Sequence, residues 1–495
     1  MKSHQRIPAL VAACLTLAAC CLSAHAAGQP NIVFIFMDDM GYGDVGVLNP
    51  ERGKIATPHM DRVAEQGMIF TDAHTSSAVC TPSRYGLMTG RYNWRTRLQR
   101  HVLDGFGKAL IPESRMTVAS LLKAQGYATG MIGKWHIGMN FPKGTGKQRV
   151  DWKGRITVGP HDVGFDYFFG ISGSLDMPPY IFIENDRFVG EATVMKEPHP
   201  NRKGPAEPDF EVIEVLDQLA EKSVEFIGKQ SGEKPFFAYL ALPSPHSPVV
   251  PSPEWQGRSG LGKYGDFMMQ TDAFVGTIVK ALDDAGFTDN TLLIVSSDNG
   301  FSEKQGGAAE LEAQGHFPSA GYRGYKADIW EGGHRVPFLV KWPGHVKAGT
   351  TSDATICLTD FMATCADLTG AELPADAGED SVSFLPALAG EKIETSRKGI
   401  IHHSIKGSFA YREGKWKLVL SKTSGGFRPG KAPKNAPKGQ LYDMEADPGE
   451  TRNLFATHPE VVERLLAQLE TYVKRGRSTD GPDVPNDVKN INIWK

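Results

Sequence analysis

Cysteine is scarce in this chain of 495 residues: there are six, and Cys14, Cys20 and Cys21 fall near the N-terminus. The remaining Cys80, Cys357 and Cys365 are too few for a disulfide framework. Cys357 and Cys365 lie in an apolar stretch that reads as helical, on which their separation spans more than two turns and exceeds disulfide reach; both are expected in the core. An excess of one charge is also missing. The formal net charge is −3, and −5 once Lys2 and Arg6 are set aside, so no global basic field points to nucleic acid and any anion binding must be local. No apolar run reaches the length of a transmembrane span, the stretch Ala9 to Leu22 included. There is no internal repeat.

What the N-terminus does have is the layout of a secretory signal: Lys2 and Arg6, the apolar run, then Ala24-His25-Ala26 as a small-residue cleavage site. Release after Ala26 is expected, giving a secreted or periplasmic protein. Leu17-Ala18-Ala19-Cys20 is also similar to a bacterial lipoprotein box, which would instead anchor the protein through Cys20.

The remainder, in a composition of 40% hydrophobic and 22% charged residues, has room for one large domain and a smaller one. Asn31 to Met37 and Thr291 to Ser296 are near-continuous apolar runs, as strands covered on both faces require. Further strands are predicted near Ala128 to Ile132, Phe236 to Leu242 and Val336 to Lys341. Helical patterns alternate with them: Pro58 to Gly67, Val118 to Gly126 capped by Thr117, Glu211 to Gln230 with Ile213, Leu216, Ala220, Val224 and Ile227 on one face, and Gly265 to Ala285. The fold class is therefore α/β, a large, mostly parallel sheet sandwiched by helices, with its ligand site beyond the carboxyl ends of the strands. After about residue 395 the texture changes to short strand-like runs and a helix carrying Val461, Leu465 and Leu469, a small antiparallel sheet with one helix. The expected division is a signal over 1–26, a catalytic α/β domain over 27–395, a C-terminal α+β subdomain over 396–476 and a polar tail over 477–495.

The chemistry gathers around Val79-Cys80-Thr81-Pro82-Ser83-Arg84. Pro82 suits the first turn of a helix, Thr81 can cap it and Gly90 is a natural stop, so Cys80 should sit just ahead of a helix N-terminus where positive potential collects. Arg84, one turn on, adds a fixed charge above the same spot. Asp38 and Asp39 end one predicted buried strand and Asp298 and Asn299 another. Their oxygen ligands suit one hard divalent cation, Ca²⁺ or Mg²⁺. Gly133-Lys134-Trp135-His136 and Pro243-Ser244-Pro245-His246 each come after a predicted strand, and Lys326 precedes Trp330-Glu331-Gly332-Gly333. A cation, two lysines, an arginine and two histidines around a nucleophile suit transfer of an oxyanion, sulfate or phosphate alike.

Cys80-Thr81-Pro82-Ser83-Arg84 with Leu87-Met88-Thr89-Gly90-Arg91 downstream closely resembles the signature of the type I sulfatases of the alkaline phosphatase superfamily. The resemblance extends over most of the presumed mature chain. It implies that a separate formylglycine-generating enzyme oxidises Cys80 to 3-oxoalanine (formylglycine), whose hydrate is the nucleophile. It further implies that Asp38, Asp39, Asp298 and Asn299 hold one metal ion, usually Ca²⁺, against formylglycine-80. Lys134 and Lys326 would contact sulfate, His136 would support the nucleophile, and His246 or Lys326 would protonate the leaving oxygen. Ser174 in Gly170-Ile171-Ser172-Gly173-Ser174 matches a substrate-side serine. One hydroxyl of the hydrate would attack sulfur, and the other, deprotonated with help from His136, would expel sulfate.

Three alternatives stay open: a phosphoesterase of the same fold, a secreted protein binding sulfated glycans without turnover if Cys80 stays unmodified, and a structural protein. The favoured substrate is a sulfated saccharide, with a broad arylsulfatase as the competing reading. Segments 140–162, 173–190, 301–325 and 402–430 are expected at the pocket rim, with Asp176, Arg187, His316, His402, His403 and Arg412 as candidates to contact sugar hydroxyls.

Overall fold

The computed structural model describes residues 28–146 and 149–494. The N-terminal segment with Lys2, Arg6, Cys14, Cys20 and Cys21, on which the signal and lipoprotein readings rest, lies outside the described residues.

Alternation within the apolar runs builds the centre of the molecule. In the strand Asn31–Asp38, Ile32, Phe34 and Phe36 enter one hydrophobic cluster while Val33, Ile35 and Met37 enter another on the opposite face. Phe236–Pro245 divides likewise, Phe237 and Tyr239 against Ala238 and Leu240. Side chains of a strand alternate in direction, so a run apolar at every position must be covered on both faces. The result is a ten-stranded sheet between two helical layers. Its order is Thr350–Ser352, Met68–Phe70, Phe338–Lys341, Thr291–Ser297, Asn31–Asp38, Phe236–Pro245, Ala128–Lys134, Tyr167–Ile171, Ile183–Glu184 and Arg187–Phe188. From Thr291–Ser297 to Tyr167–Ile171 neighbouring strands are parallel, whereas Phe338–Lys341 and the strands after Ile171 pair antiparallel. The sheet is mixed and mostly parallel in its core, as the sequence predicts.

Helix Val118–Ala124 is capped by Thr117, whose hydroxyl accepts from the Ser120 backbone N–H. Helix Val215–Gly228 buries Leu216 and Ile227 as expected, but Leu219, Ser223 and Phe226 also point inward while Val224 is exposed. The reason is Gly130 on the strand beneath, where a Cβ would lie 2.4 Å from the Phe226 ring; the missing side chain makes room for that ring and sets the helix rotation. Cys357 also departs from the expected helix. It ends the short strand Ile356–Cys357, and only Cys365 lies on the helix Phe361–Thr369; both are buried and free.

Ile400–His403, Phe409–Glu413, Trp416–Val419 and Gln440–Asp443 form an antiparallel four-stranded sheet covered by helix Pro459–Arg475. That helix buries Val462, Leu465, Leu469 and Tyr472, one position round from the expected Val461. Within the polar tail, Arg477 and Ser478 are buried, and Asp487 pairs with Arg91 at 3.0 Å. No helix among the described residues is long and apolar enough to cross a membrane.

Candidate active site

The central strands end on one edge, and the residues just beyond those ends build the site. Asp38 closes its strand and Asp39 takes a left-handed backbone, φ 69°, so that consecutive carboxylates turn into the same space. A left-handed non-glycine residue is strained, and such strain collects at functional sites. His136, just past the strand ending at Lys134, is left-handed too, φ 54°.

Cys80 is the first residue of the helix Cys80–Thr89, whose ten residues are all buried; Gly90 ends it in a left-handed turn. Thr81 is not the cap. Val79 occupies that position without a side-chain bond, and the Thr81 hydroxyl accepts from the Leu103 backbone N–H at 3.2 Å. The Cys80 thiol donates to Asp38 Oδ1 at 3.4 Å. Burial, with the Asp298 and Asp38 carboxylates beside it, pushes the thiol well above its ordinary pKa. It therefore stays protonated and is a poor nucleophile as it stands.

Arg84 reaches past Cys80 to Asp298, placing Nε at 2.9 Å and Nη2 at 2.8 Å from Oδ2, and donates to the Lys134 carbonyl at 3.1 Å. Lys134 Nζ lies 2.5 Å from Asp38 Oδ2 and Lys326 Nζ 2.6 Å from Asp39 Oδ1. Burial would raise Asp38, but the His246, Lys134, Arg84 and Lys326 charges outweigh it and hold Asp38 well below the usual carboxylate range. Asp298 goes the other way, pushed up to about 6 by burial and by the negative charge of Asp38.

Ligand atoms of Asp38, Asp39, Cys80 and His246 lie within 4.8 Å of one another. Asn299 donates through Nδ2 to Asp39 Oδ1 at 2.7 Å, while its buried Oδ1 has no hydrogen-bond partner. A convergent set of carboxylates and an unpaired carbonyl oxygen fits a hard divalent cation.

The histidines are oriented by backbone. His136 Nε2 donates to the Leu103 carbonyl at 2.8 Å, leaving the Nδ1 lone pair buried and unpartnered. Burial, and then the Lys134 charge, keep this ring neutral. His246 Nδ1 donates to the Ser247 carbonyl at 2.7 Å, so Nε2 is the atom facing Asp39 Oδ2, 3.7 Å away. Above them opens a cavity of about 630 Å³ lined by Cys80, His136, Ser174, Asp176, His246 and Lys326. The Ser174 Oγ is buried with no partner. The structure thus gathers Cys80, Arg84, Lys134, His136, His246 and Lys326 with Asp38, Asp39, Asp298 and Asn299 at one end of the sheet, and Ser174 lines the same cavity.

Comparison with known proteins decides the family: a profile described as Sulfatase matches residues 30–371. The chain belongs to the sulfatase family. A second profile, described as N-sulphoglucosamine sulphohydrolase, C-terminal, matches residues 325–477 of this sulfatase. An N-acetylgalactosamine-6-O-sulfatase of Bacteroides thetaiotaomicron is 35% identical to it, over 90% of this chain and 94% of that protein. Human arylsulfatase A is 32% identical over 91% and 90%. A solved structure from work on glycosaminoglycan metabolism by Bacteroides thetaiotaomicron superposes with a TM-score of 0.81 at 35% identity, covering 90% of this chain and 99% of that one. The protein is thus a sulfuric ester hydrolase of the alkaline phosphatase superfamily.

The rim of the sulfatase cavity differs in part from expectation. Segments 173–190, 301–325 and 402–430 supply lining residues, through Met177, Lys304 and Phe427 among others, but the described residues of 140–162 supply none. His199, Arg202 and Val102 line it unforeseen; the basic stretch His199 to Lys203 was the available signal. Of the sugar-contact candidates only Asp176 is there, its Oδ1 buried and unpartnered. Arg187 lies on an edge strand and donates to the Lys153 carbonyl. His316 is buried between Asp44 and the Lys54 N–H. His403 is buried against the Phe409 ring.

His402 and Arg412 belong to a separate polar cluster beneath the segment that leads to Cys80. His74, His334 and His402 are close enough to share a metal ion; His74 and His334 are already tied into a hydrogen-bonded chain, while the buried His402 Nε2 has no partner. Lys417 Nζ donates to His334 Nε2 at 2.9 Å, His334 Nδ1 meets His74 Nδ1 at 3.1 Å, and His74 Nε2 donates to Asp72 at 2.8 Å. Asp72, Glu331 and Glu450 oppose Arg335, Arg412 and Lys417, so the charges already balance. Burial, opposed by Lys417 and reinforced by Glu331, pushes Glu450 up to about 7. A carboxyl raised above its unfolded value of 4.5 contributes stability that is present below about pH 4.5 and lost as pH rises through about 7. Glu450→Gln should therefore flatten the decline in melting temperature across that window. Parallel melting curves for the two proteins would contradict this.

Proposed function

We propose that this sulfatase removes sulfate from a sulfated saccharide, using formylglycine formed from Cys80 and one divalent cation, Ca²⁺ or Mg²⁺, held by Asp38, Asp39, Asp298, Asn299 and position 80. The observation that carries this is the placement of Cys80, inert as a thiol, at the floor of the cavity between the carboxylates, both lysines and both histidines.

When in place, the aldehyde hydrate supplies an oxygen nucleophile and the cation supplies positive charge beside it. The protein's own groups do the rest. Lys134 and Lys326 bind the sulfuryl oxygens and offset the charge that grows on them. Arg84 adds charge and fixes Asp298. His136, with Nε2–H tied to Leu103, presents Nδ1 to accept a proton from position 80. His246 or Lys326 returns a proton to the leaving oxygen, and Ser174 holds the substrate. Catalysis is proposed for residues 27–395, with 396–476 and the polar tail 477–495 bracing the nucleophile segment. A signal over 1–26 would send the enzyme to the periplasm or beyond, anchored through Cys20 if processed as a lipoprotein.

The saccharide is favoured because relatives are named for N-acetylgalactosamine-6-sulfate, the human enzyme at 33% identity among them, and because the pocket wall offers Asp176, His199 and Arg202 for hydroxyl contacts. The test has two parts. Mass spectrometry of the peptide spanning Val79 from an active preparation should find the aldehyde, and finding only thiol would end the mechanism. Converted enzyme should release sulfate from members of a sulfated mono- and oligosaccharide panel. Fast cleavage of an aryl sulfate with none of any saccharide would favour a plain arylsulfatase.

A further inference from the structure

Beside the catalytic cavity lies a second one of similar size, about 620 Å³, and the two share Met177 and Arg202 as a common wall. Each falls within the range of roughly 300–1,000 Å³ typical of small-molecule sites. The second cavity takes no part in the chemistry described above. Its floor is apolar and aromatic, with Phe106, Trp152, Pro178 and Met195. Trp152 is braced edge-on by Phe188 and Phe106 by Phe141, so the aromatic groups are held by packing. The floor is tight as well as apolar. A Cβ at Gly105 would lie 2.2 Å from the Pro178 carbonyl, and one at Gly204 2.2 Å from the Pro178 ring. Against this floor the charged groups are Arg149, Arg202 and Lys203, with Asp104 as the acidic lining residue and Asp176 of the neighbouring cavity 3.8 Å from Arg202. Arg149 lies over the Phe106 ring at 4.2 Å, and the Asp104 carboxylate accepts from the Phe106 backbone N–H at 2.8 Å, which spends part of its negative charge internally.

Aromatic and proline surfaces suit the apolar faces of sugar rings, and an excess of guanidinium and ammonium groups suits a carboxylate or sulfate carried on such a ring. We propose that this second cavity is a subsite for an acidic saccharide unit adjoining the sulfated one, contacted by Arg149 and Lys203, with Arg202 facing both units. The proposal rests on the saccharide reading of the catalytic site. It makes the enzyme select the neighbour of the sulfated sugar as well as the ester itself.

The test separates binding from turnover. Full-length protein carrying Cys80→Ala is titrated calorimetrically with a uronate-containing tetrasaccharide and with a neutral tetrasaccharide. The acidic one should bind more tightly, and Arg149→Ala with Lys203→Ala should weaken it at least about tenfold, as loss of charge-assisted hydrogen bonds predicts. Both residues are exposed, so the fold should persist; in the converted enzyme the same pair of substitutions should leave cleavage of a sulfated monosaccharide unchanged. Equal affinity before and after the substitutions, equal affinity for the two tetrasaccharides, or no binding of either would overturn the subsite. Failure of the saccharide reading shows separately, as converted wild-type enzyme that cleaves an aryl sulfate and no sulfated sugar.

Discussion

Asp298→Asn should lower turnover by about a thousandfold and leave the protein unable to retain a divalent cation, while its melting profile changes far less. The size comes from what one carboxylate does here. Asp298 grips Arg84 through Oδ2 and turns Oδ1 towards the Asp39 backbone N–H at 3.3 Å, at the junction of the two acidic strand ends. An amide has the same shape but no charge, so the cation site weakens and the guanidinium loses its partner together. Metal-derived stabilisation of a transition state is worth several kcal/mol, and each tenfold in rate corresponds to about 1.4 kcal/mol. Metal analysis of purified protein and steady-state sulfate release check it; full metal content with undiminished turnover would refute the assignment.

The second large effect should be on stability. Lys417 is fully buried, its Nζ 3.0 Å from Glu331, 2.8 Å from Glu450 and 2.9 Å from His334 Nε2. Lys417→Met removes the cation but leaves both carboxylates in the interior, and breaking a buried pair in this way costs about 3–5 kcal/mol. The strand Trp416–Val419 should loosen from the segment Glu331–His334, detectable as a lower melting temperature and faster proteolysis after residue 395. Adding Glu450→Gln should restore part of the loss, because it removes one stranded charge; the two changes share a contact and are not additive. An unchanged melting temperature in Lys417→Met would show that the network bears no weight.

Much of the proposed site was legible in the chain because most of its residues end or follow a buried strand or lie on the helix that Cys80 opens, and both leave clear local signals; Lys326, in a turn, was legible only through the family resemblance. Asp38, Lys134, His246 and Asp298 all sit where an apolar run stops. What sits at the pocket rim was legible only in part: three of the expected segments and Asp176 are there. His316, His402 and Arg412 have the chemistry of sugar ligands, yet their partners Asp44, Thr75 and Asp72 lie far away in sequence and hold them in other interior networks. Helix Val215–Gly228 carries two adjoining apolar stripes, and only the gap at Gly130 on another element selects the one with Phe226. The wall at His199 and Arg202 gave no periodic signal at all.

Helix Cys80–Thr89 has no exposed residue, and its approach is sewn in by backbone bonds, from Ala78 N–H to the His403 carbonyl and from Ala327 N–H to the Ala78 carbonyl. A second enzyme that must grasp the stretch around Cys80 therefore has no grip on the finished protein. Its opportunity lies between the emergence of residue 91 and the arrival of residues 327 and 403, which close the enclosure. Under the proposed conversion of Cys80, modification would compete with folding for the same interval, and the faster of the two would fix the active fraction of a batch. Slowing the chain after residue 91, or raising the modifying enzyme, should raise that fraction; supplying the modifying enzyme to folded protein should not.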